Sequence, residues 1–315
     1  MTLQDAGEIR LSVPPVSRVW HPIWTDRGAA ALLDAIRPSL AVAPSVNVYD
    51  RTGALVSTAN FSLPGAEYVT TYDFARGMDD AVAICGDSYD SEGRYAPFIA
   101  WLSPDRQVSK VIRTYPYLAL SIAIAPDGTL WTAGADITRQ KGSASPGDYD
   151  ALRHFSVDGT PAGPGVPWSM VRDTLAVTSG FIVANGDRVG WYSRLHGEGA
   201  KYIEVDRLGN VTAYPGFPLP DNSPDRITGI ALTPRGEVFV TALVYSKAGP
   251  PPVSTTLYLL DRTSKSWLAV DMPPSAAKGN IPLYGSDGES LAFASATTGS
   301  STARLFAVSA PTTGN

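Results

Sequence analysis

Short apolar runs that end in a polar turn recur along the chain and predict a protein built from β-strands. The most regular run closes on an aspartate, as in the segment NVYDRTG at residues 47–53. It returns at 99–105, 154–159, 202–209 and 257–263, and a sixth run at 305–309 lacks the aspartate. The aspartates lie roughly 50 residues apart, a spacing typical of the blades of a β-propeller.

A second pattern alternates with the first and consists of two apolar runs joined by a tight turn. It is clearest in AIAPDGTLW at 123–131 and in ALTPRGEVF at 231–239, with looser copies at 24–28, 182–189 and 284–291. Proline presets φ at the first position of such a turn, and glycine supplies the positive φ that closes a hairpin. Each repeat therefore reads as four strands, with this turn in the inner pair and the aspartate turn in the outer pair.

Six such repeats fill the chain and predict one all-β domain over residues 1–315, a six-bladed β-propeller of four-stranded antiparallel blades. A single four-stranded sheet cannot bury both of its faces, whereas blades stacked around an axis can, and they leave only short edges. The segment 28–37 departs from the strand pattern because it is rich in helix-forming residues. It fits either an inner strand or a short helical turn.

The turns at 126–128 and 234–236, with their apolar flanks, give the chain an architectural resemblance to a known class. It resembles the six-bladed propellers of the NHL and gluconolactonase-like types over nearly its whole length. The resemblance implies that the ring closes by mixing strands from both termini in one blade. Residues 8–13 would then be the outer strand beside 305–308.

Gluconolactonase-like propellers hold a divalent metal on the axis, and the resemblance identifies the positions to inspect. In this sequence they are Trp20, Tyr72, Leu120, Gly180, Thr228 and Asn280. Only Asn280 matches the pattern, and Leu120 and Gly180 have no side-chain oxygen for a hard cation such as calcium. We therefore expect no axial metal and no cofactor.

The connections inside the hairpins are short, whereas those at 87–97, 136–150, 194–200 and 246–254 are long and fall on the opposite face. Because function is usually carried by loops on a rigid scaffold, this long-loop face and the central channel are the candidate site. Aromatic faces beside polar groups suit sugars, peptides and other small molecules, although aromatic residues also pack between blades. The candidate ligand-binding residues are Trp20, His21, Tyr68, Tyr72, Tyr117, Arg226, Thr228 and Asn280.

The leading hypothesis is a propeller scaffold that binds a small molecule, a glycan or a protein segment. The alternative is a lactonase-like hydrolase or lyase with an atypical channel site, and a purely structural interaction module is a third interpretation. The sequence leaves catalysis undecided, since it contains no zinc, phosphate-loop or nucleophile-elbow motif. The hydrolase would depend on His21, Tyr72, Arg226 and Asn280.

The composition argues against two classes of partner, nucleic acids and membranes. A net charge of −5 without a basic run argues against nucleic acid, and no apolar stretch approaches the ~20 residues that span a bilayer. Cys85 is the only cysteine, so no disulfide forms within the chain, and its apolar surroundings predict a buried, inert thiol. Asp87, Asp90 and Glu92 are expected to form a solvated acidic loop. We expect a monomer; the compartment is undecided, and removal of an export signal would fit a periplasmic or secreted protein.

Overall fold

The computed structural model describes residues 2–11, 17–35, 44–77, 80–103, 107–138, 150–163, 165–167, 180–185, 188–193, 202–206, 208–214, 227–233, 235–246, 249–273, 283–286, 289–294 and 302–309. Every regular element in these ranges is a β-strand. In chain order they are β1 (Thr2–Arg10), β2 (Ser17–Thr25), β3 (Gly28–Ala35), β4 (Ser45–Tyr49), β5 (Leu55–Asn60), β6 (Tyr68–Arg76), β7 (Val82–Tyr89), β8 (Tyr95–Leu102), β9 (Val108–Arg113), β10 (Tyr117–Ile124), β11 (Leu130–Asp136), β12 (Asp150–Phe155), β13 (Val166–Pro167), β14 (Gly180–Asn185), β15 (Arg188–Ser193), β16 (Tyr202–Asp206), β17 (Val211–Tyr214), β18 (Ile227–Leu232), β19 (Val238–Ser246), β20 (Gly249–Asp261), β21 (Ser266–Val270), β22 (Leu283–Ser286), β23 (Ser290–Ala294) and β24 (Thr302–Ser309). The described part of the chain contains no helix that is long and apolar enough to cross a membrane.

The chain divides into two compact units. The first comprises Met1–Val42, Val46–Thr58 and Phe217–Asn315, and the second comprises Ala43–Ser45 and Ala59–Gly216. The second unit holds three four-stranded antiparallel sheets, β6–β9, β10–β13 and β14–β17. The first holds the four-stranded sheet β18–β21 and most of an eight-stranded sheet with the order β1-β24-β23-β22-β2-β3-β4-β5. The predicted all-β class with four-stranded antiparallel sheets is confirmed, while one six-bladed domain stays a prediction.

Strands from the two ends of the chain pair with each other in the first unit. β1 runs antiparallel to β24, with Ile9 opposite Ala303. The predicted N-terminal strand at 8–13 was placed too late, because the observed strand starts at Thr2 and ends at Arg10. The segment 28–37 is resolved in favour of a strand, since β3 covers Gly28–Ala35 and pairs with β2. Whether the pairing of β1 with β24 closes a ring stays a prediction.

The repeated turns have the geometry that the sequence predicts. At the Pro-Asp-Gly turn, Gly128 N–H donates to Ala125 O at 2.9 Å, and Ala125 N–H donates to Thr129 O at 2.8 Å. Gly128 has a φ of +81°, which explains the glycine at this position. At the first aspartate turn, the Asp50 carboxylate accepts the Thr52 N–H at 2.8 Å and thereby satisfies a backbone donor of the turn. The same local bond recurs at Asp158, Asp206 and Asp261.

A β-bulge recurs in the first strand of several sheets. The register skips one residue at Tyr72 in β6, at Leu120 in β10 and at Thr228 in β18. Tyr72, Leu120 and Thr228 are three of the six axial positions that the resemblance identified. In β22 the skipped residue is Tyr284, whereas the predicted Asn280 lies outside the described residues. In β14 the pairing is regular, with Gly180 opposite Ser193. A bulge re-aims side chains and often lies beside a functional site.

The core of the second unit lies between its sheets. Cys85, Ile99 and Trp101 of the sheet β6–β9 pack against Tyr117 and Ala119 of β10. On its other side, the sheet β10–β13, which is the middle sheet of this unit, packs residues of β11 and β12 against Ile182, Trp191 and Ile203 of the sheet β14–β17. Cys85 is fully buried, as predicted. Face-to-face stacking of this kind removes both faces of the middle sheet from water, which is the dominant stabilising contribution in such a fold.

Candidate functional site

The structure locates only part of the predicted ligand-binding set. Trp20 and His21 lie in β2, but their side chains are outside the described part of the protein. Arg226 and Asn280 also lie outside the described residues. Thr228 is in the first unit, where its hydroxyl group donates to Thr241 Oγ1 at 3.0 Å.

The remaining three predicted residues belong to the second unit, and they have different environments. Tyr117 is fully buried, and its hydroxyl group bonds to Thr132 inside the sheet β10–β13. This ring packs between sheets rather than at an opening, so Tyr117 is left out of the candidate site. Tyr68 is 62% exposed at the start of β6, and Tyr72 is half-buried at the bulge of the same strand.

The predicted long loop at 87–97 is instead the end of the β7–β8 hairpin. Asp87 pairs with Pro97 and Tyr89 pairs with Tyr95, which leaves only the turn at 90–94. The prediction of a solvated acidic loop is therefore wrong for Asp87, which lies in β7 and is 5% exposed. Of the other predicted long connections, 246–254 is largely occupied by β19 and β20, and most of 136–150 and all of 194–200 lie outside the described residues.

Two tyrosine hydroxyl groups meet at the buried Asp87 carboxylate. Tyr72 OH donates to Asp87 Oδ2 at 2.5 Å. Burial, followed by the hydrogen bond and the negative charge of Asp87, raises the pKa of Tyr72. The Tyr95 hydroxyl group also lies against Asp87, and burial together with that charge raises the pKa of Tyr95. Both phenols therefore stay protonated at neutral pH and act as donors to the carboxylate rather than as bases.

Three tyrosine rings continue from this carboxylate in a row across the strands. Tyr68 pairs with Tyr89 and Tyr89 pairs with Tyr95 in the sheet register. The Tyr68 and Tyr89 ring centroids are 6.5 Å apart, and those of Tyr89 and Tyr95 are 5.3 Å apart. Tyr89, the middle ring, is 39% exposed, so it and Tyr68 are both open to solvent. We refer to Tyr68, Tyr72, Asp87, Tyr89 and Tyr95 as the tyrosine–aspartate site.

The charge of Asp87 is not neutralised by a cation in the described part of the protein. Arg113 lies in β9, two strands away from β7 in the same sheet. Its Nη1 donates to Ser88 Oγ at 2.7 Å on the other face of β7. Arg94 pairs with Asp90 at 2.6 Å and with Glu92 at 3.2 Å in the hairpin turn. Asp87 Oδ1 is buried and accepts no hydrogen bond of ordinary geometry from the described residues. The site therefore keeps a negative charge and an unused acceptor.

Asp73, next to the bulge, links two sheets of the second unit. Its Oδ2 accepts the N–H of Ile122 in β10 at 3.0 Å, and its Oδ1 accepts the N–H of Phe74 at 2.9 Å. Burial raises the pKa of Asp73 to about 7, although these two hydrogen bonds oppose the shift. The carboxyl group that joins β6 to β10 thus titrates near neutral pH.

We expect the stability of the protein to fall between about pH 5 and pH 7 because of Asp73. The folded protein retains the Asp73 proton up to about pH 7, whereas an unfolded aspartate loses it near its ordinary value of about 4. The folded state thus binds more protons than the unfolded state in this window. The stabilisation that protonated Asp73 contributes is complete below about pH 4 and is lost as the pH rises. The free energy of unfolding should drop by roughly 2 kcal/mol in urea titrations.

The matched variant for this pH dependence is Asp73→Asn, which keeps an acceptor for the Ile122 N–H without a titrating proton. Its unfolding free energy should vary much less over the same window. An equal slope in both proteins would show that other groups cause the pH dependence.

Sequence reasoning missed Asp87, Tyr89 and Tyr95 as members of one site. The sequence did contain a signal for this site, the two-residue period of a β-strand. Cys85, Asp87 and Tyr89 alternate along β7, so Asp87 and Tyr89 point to the same face as the buried Cys85 thiol. The polar run DSYDSEG at 87–93 suggested a loop and hid the continuation of the strand. The cross-strand row of tyrosines follows only once the hairpin register is known.

Comparison with known proteins identifies the fold but no family. No family model and no curated protein matches the sequence. Among solved structures, the chain is similar to U3-55K, with 9% identity, a TM-score of 0.58, and coverage of 96% of this chain and 99% of that one. It is similar to a protein of unknown function from Dyadobacter fermentans, with 10% identity, a TM-score of 0.58, and coverage of 98% and 99%.

A third similar structure is the Trypanosoma rangeli sialidase in complex with the inhibitor DANA, with 10% identity and a TM-score of 0.51. That likeness covers 96% of this chain and 58% of the sialidase. At such identities the likeness concerns the fold alone, and it confirms the predicted architectural resemblance. The chain is an all-β protein of the β-propeller type.

Proposed function

We propose that the protein is a binding scaffold that takes a small molecule, a glycan or a protein segment at the tyrosine–aspartate site. The observation that carries this proposal is the buried Asp87 carboxylate, whose Oδ1 has no partner among the described residues, beside the exposed rings of Tyr68 and Tyr89. Ligand sites typically combine apolar or aromatic walls with a few fixed polar groups. Tyrosine rings supply such walls at a small cost in side-chain entropy.

Rigid strands support this assignment. Tyr72, Asp87 and Tyr95 lie on three neighbouring strands of one sheet, and the hydroxyl-to-carboxylate contacts hold both phenols in place. A group fixed before the ligand arrives loses less conformational freedom on binding. Burial and the neighbouring Asp87 charge raise the pKa values of both phenols, which keeps them in the protonated form that donates hydrogen bonds.

Replacing Tyr89 by alanine should weaken ligand binding at least about tenfold, because a central ring of the row is lost. The test is calorimetry of the wild type and the variant with a panel of methyl glycosides, amines and short peptides. Leu208→Ala is the control, since Leu208 is an 85% exposed side chain in the β16–β17 turn. The control should bind the panel as the wild type does. Failure of every panel member to bind the wild type, or equal affinity in Tyr89→Ala, would contradict the proposal.

A further inference from the structure

The charge and hydrogen-bonding character of the tyrosine–aspartate site restrict its ligand further than the proposed function does. Asp87 is nearly inaccessible to solvent and has no ion pair with a described Lys or Arg. A buried carboxylate without a cationic partner loses hydration that the two tyrosine hydroxyl groups replace only in part. A positively charged ligand group placed beside it would supply the missing partner.

The polar atoms of the site are acceptors. Tyr72 gives its hydroxyl proton to Asp87 Oδ2, and the Tyr95 hydroxyl group is turned to the same carboxylate. Once these protons are engaged, the two phenol oxygens have only lone pairs left for a ligand. Asp87 Oδ1 also has no partner among the described residues, but this atom is buried, so its charge acts on a ligand through space. A ligand that fits this arrangement must bring N–H or O–H donors, and an anion is disfavoured.

Among ligands with N–H or O–H donors, the exposed tyrosine rings favour a positively charged one. Tyr68 and Tyr89 are tilted by 47° and expose ring surface next to the carboxylate. The negative face of an aromatic ring attracts an ammonium group, and the attraction adds to that of a nearby carboxylate. A neutral sugar would use the rings and the acceptors but would gain little from the charge.

We infer that the tyrosine–aspartate site binds a primary ammonium group, two of whose three N–H donors meet the Tyr72 and Tyr95 oxygens while its charge is balanced by Asp87. This inference rests on the proposed function and names its ligand class. A free amine and a lysine side chain share this chemistry. Both present a compact cation on an apolar stem, and the stem would lie along the Tyr68 and Tyr89 rings.

The test compares 2-phenylethylammonium with its neutral isostere 2-phenylethanol by calorimetry at neutral pH and low salt. The wild type should bind the amine at least about tenfold more tightly than the alcohol. Asp87→Asn removes the charge and keeps an acceptor for the tyrosine hydroxyl groups. It should lower the amine affinity about tenfold and leave the alcohol affinity unchanged.

Asp90→Asn is the matched control, because it removes the same charge from the solvent-exposed turn of the same hairpin. It should change the amine affinity by no more than about twofold. If Asp87→Asn does not fold, Tyr95→Phe replaces it, since it removes one phenol oxygen and should weaken the amine about fivefold, more than it weakens the alcohol, which has one donor instead of three.

The outcomes separate this inference from the proposed function. Equal affinities for amine and alcohol, both lost in Tyr89→Ala, would overturn the ammonium inference and leave ligand binding intact. Absence of binding by both probes and by the glycosides and peptides would overturn both. The N-acetylated peptide acetyl-Gly-Lys-Gly, whose ammonium group is on the lysine alone, and its acetyl-lysine counterpart, which has none, distinguish the sources: tighter binding of the lysine peptide than of 2-phenylethylammonium indicates a protein partner, and the reverse indicates a free amine.

Discussion

Replacing Gly86 by alanine is expected to lower the free energy of unfolding by about 3 kcal/mol and to abolish ligand binding at the tyrosine–aspartate site. A Cβ atom at Gly86 would lie 2.0 Å from the Thr70 carbonyl oxygen and 3.1 Å from Phe98 Cζ. The first neighbour is backbone of the paired strand, which cannot rotate away, so β6 must move from β7. Gly86 pairs with Thr71 immediately before the bulge, and Asp87 follows it. The displacement would therefore separate the Tyr72 hydroxyl group from the Asp87 carboxylate.

Urea unfolding and 2-phenylethylammonium binding of Gly86→Ala measure the two effects. Gly209→Ala is the control: Gly209 has a φ of +81°, and a methyl group added there would meet no atom within 4 Å. It should cost only about 1 kcal/mol, the backbone penalty of a left-handed residue, and leave binding unchanged. If Gly86→Ala were as stable as Gly209→Ala, the close approach of β6 and β7 at the bulge would be contradicted.

The second large effect is expected at Glu204, a buried carboxylate in the sheet β14–β17. Its Oε1 accepts the Tyr202 hydroxyl proton at 3.1 Å, and its Oε2 accepts that of Tyr214 at 3.1 Å. Arg188 Nη1 approaches Oε2 at 3.4 Å from a more exposed position. Glu204→Ala removes an acceptor from both buried phenols and creates a cavity. We expect a loss of about 3 kcal/mol in the free energy of unfolding, since each buried donor that loses its acceptor costs roughly 1–3 kcal/mol.

Glu204→Gln separates hydrogen bonding from charge, because the amide keeps the size and one acceptor oxygen. It should cost only about 1 kcal/mol in the same denaturation experiment. Ligand binding should be unaffected in both variants, since Glu204 belongs to a different sheet from Asp87. Equal stabilities of the alanine and glutamine variants would show that the tyrosine hydroxyl groups do not depend on this carboxylate.

The strands and turns were predictable because their causes are local. An apolar run followed by Pro-Asp-Gly specifies a hairpin through proline φ, a side-chain acceptor and a glycine at positive φ, and the turn at 125–129 has these contacts. The repeated aspartates were predicted to mark outer turns, and their carboxylates bond to the backbone two residues later. The bulge at Tyr72 was not predicted, because the resemblance marked that residue only as an axial position.

The chemistry of the site was less accessible to sequence reasoning because it depends on pairing between distant residues. Asp87 reads as part of a polar loop until it is known to lie opposite Pro97 in a continuing hairpin. Tyr117 starts a strand, and its sequence neighbours do not show that a second sheet covers its ring. The bond from Ile122 N–H to Asp73 joins residues 49 positions apart, so neither burial nor titration of Asp73 can be read from local pattern.

The central claim is that the tyrosine–aspartate site is where a ligand cation binds. The most direct measurement is a crystal structure of the protein with 2-phenylethylammonium. We predict the ammonium nitrogen within about 3 Å of the Tyr72 and Tyr95 hydroxyl oxygens, with the phenyl ring against Tyr68 and Tyr89. An Asp87 carboxylate already paired with a lysine or arginine of the protein, and the amine bound elsewhere, would contradict it.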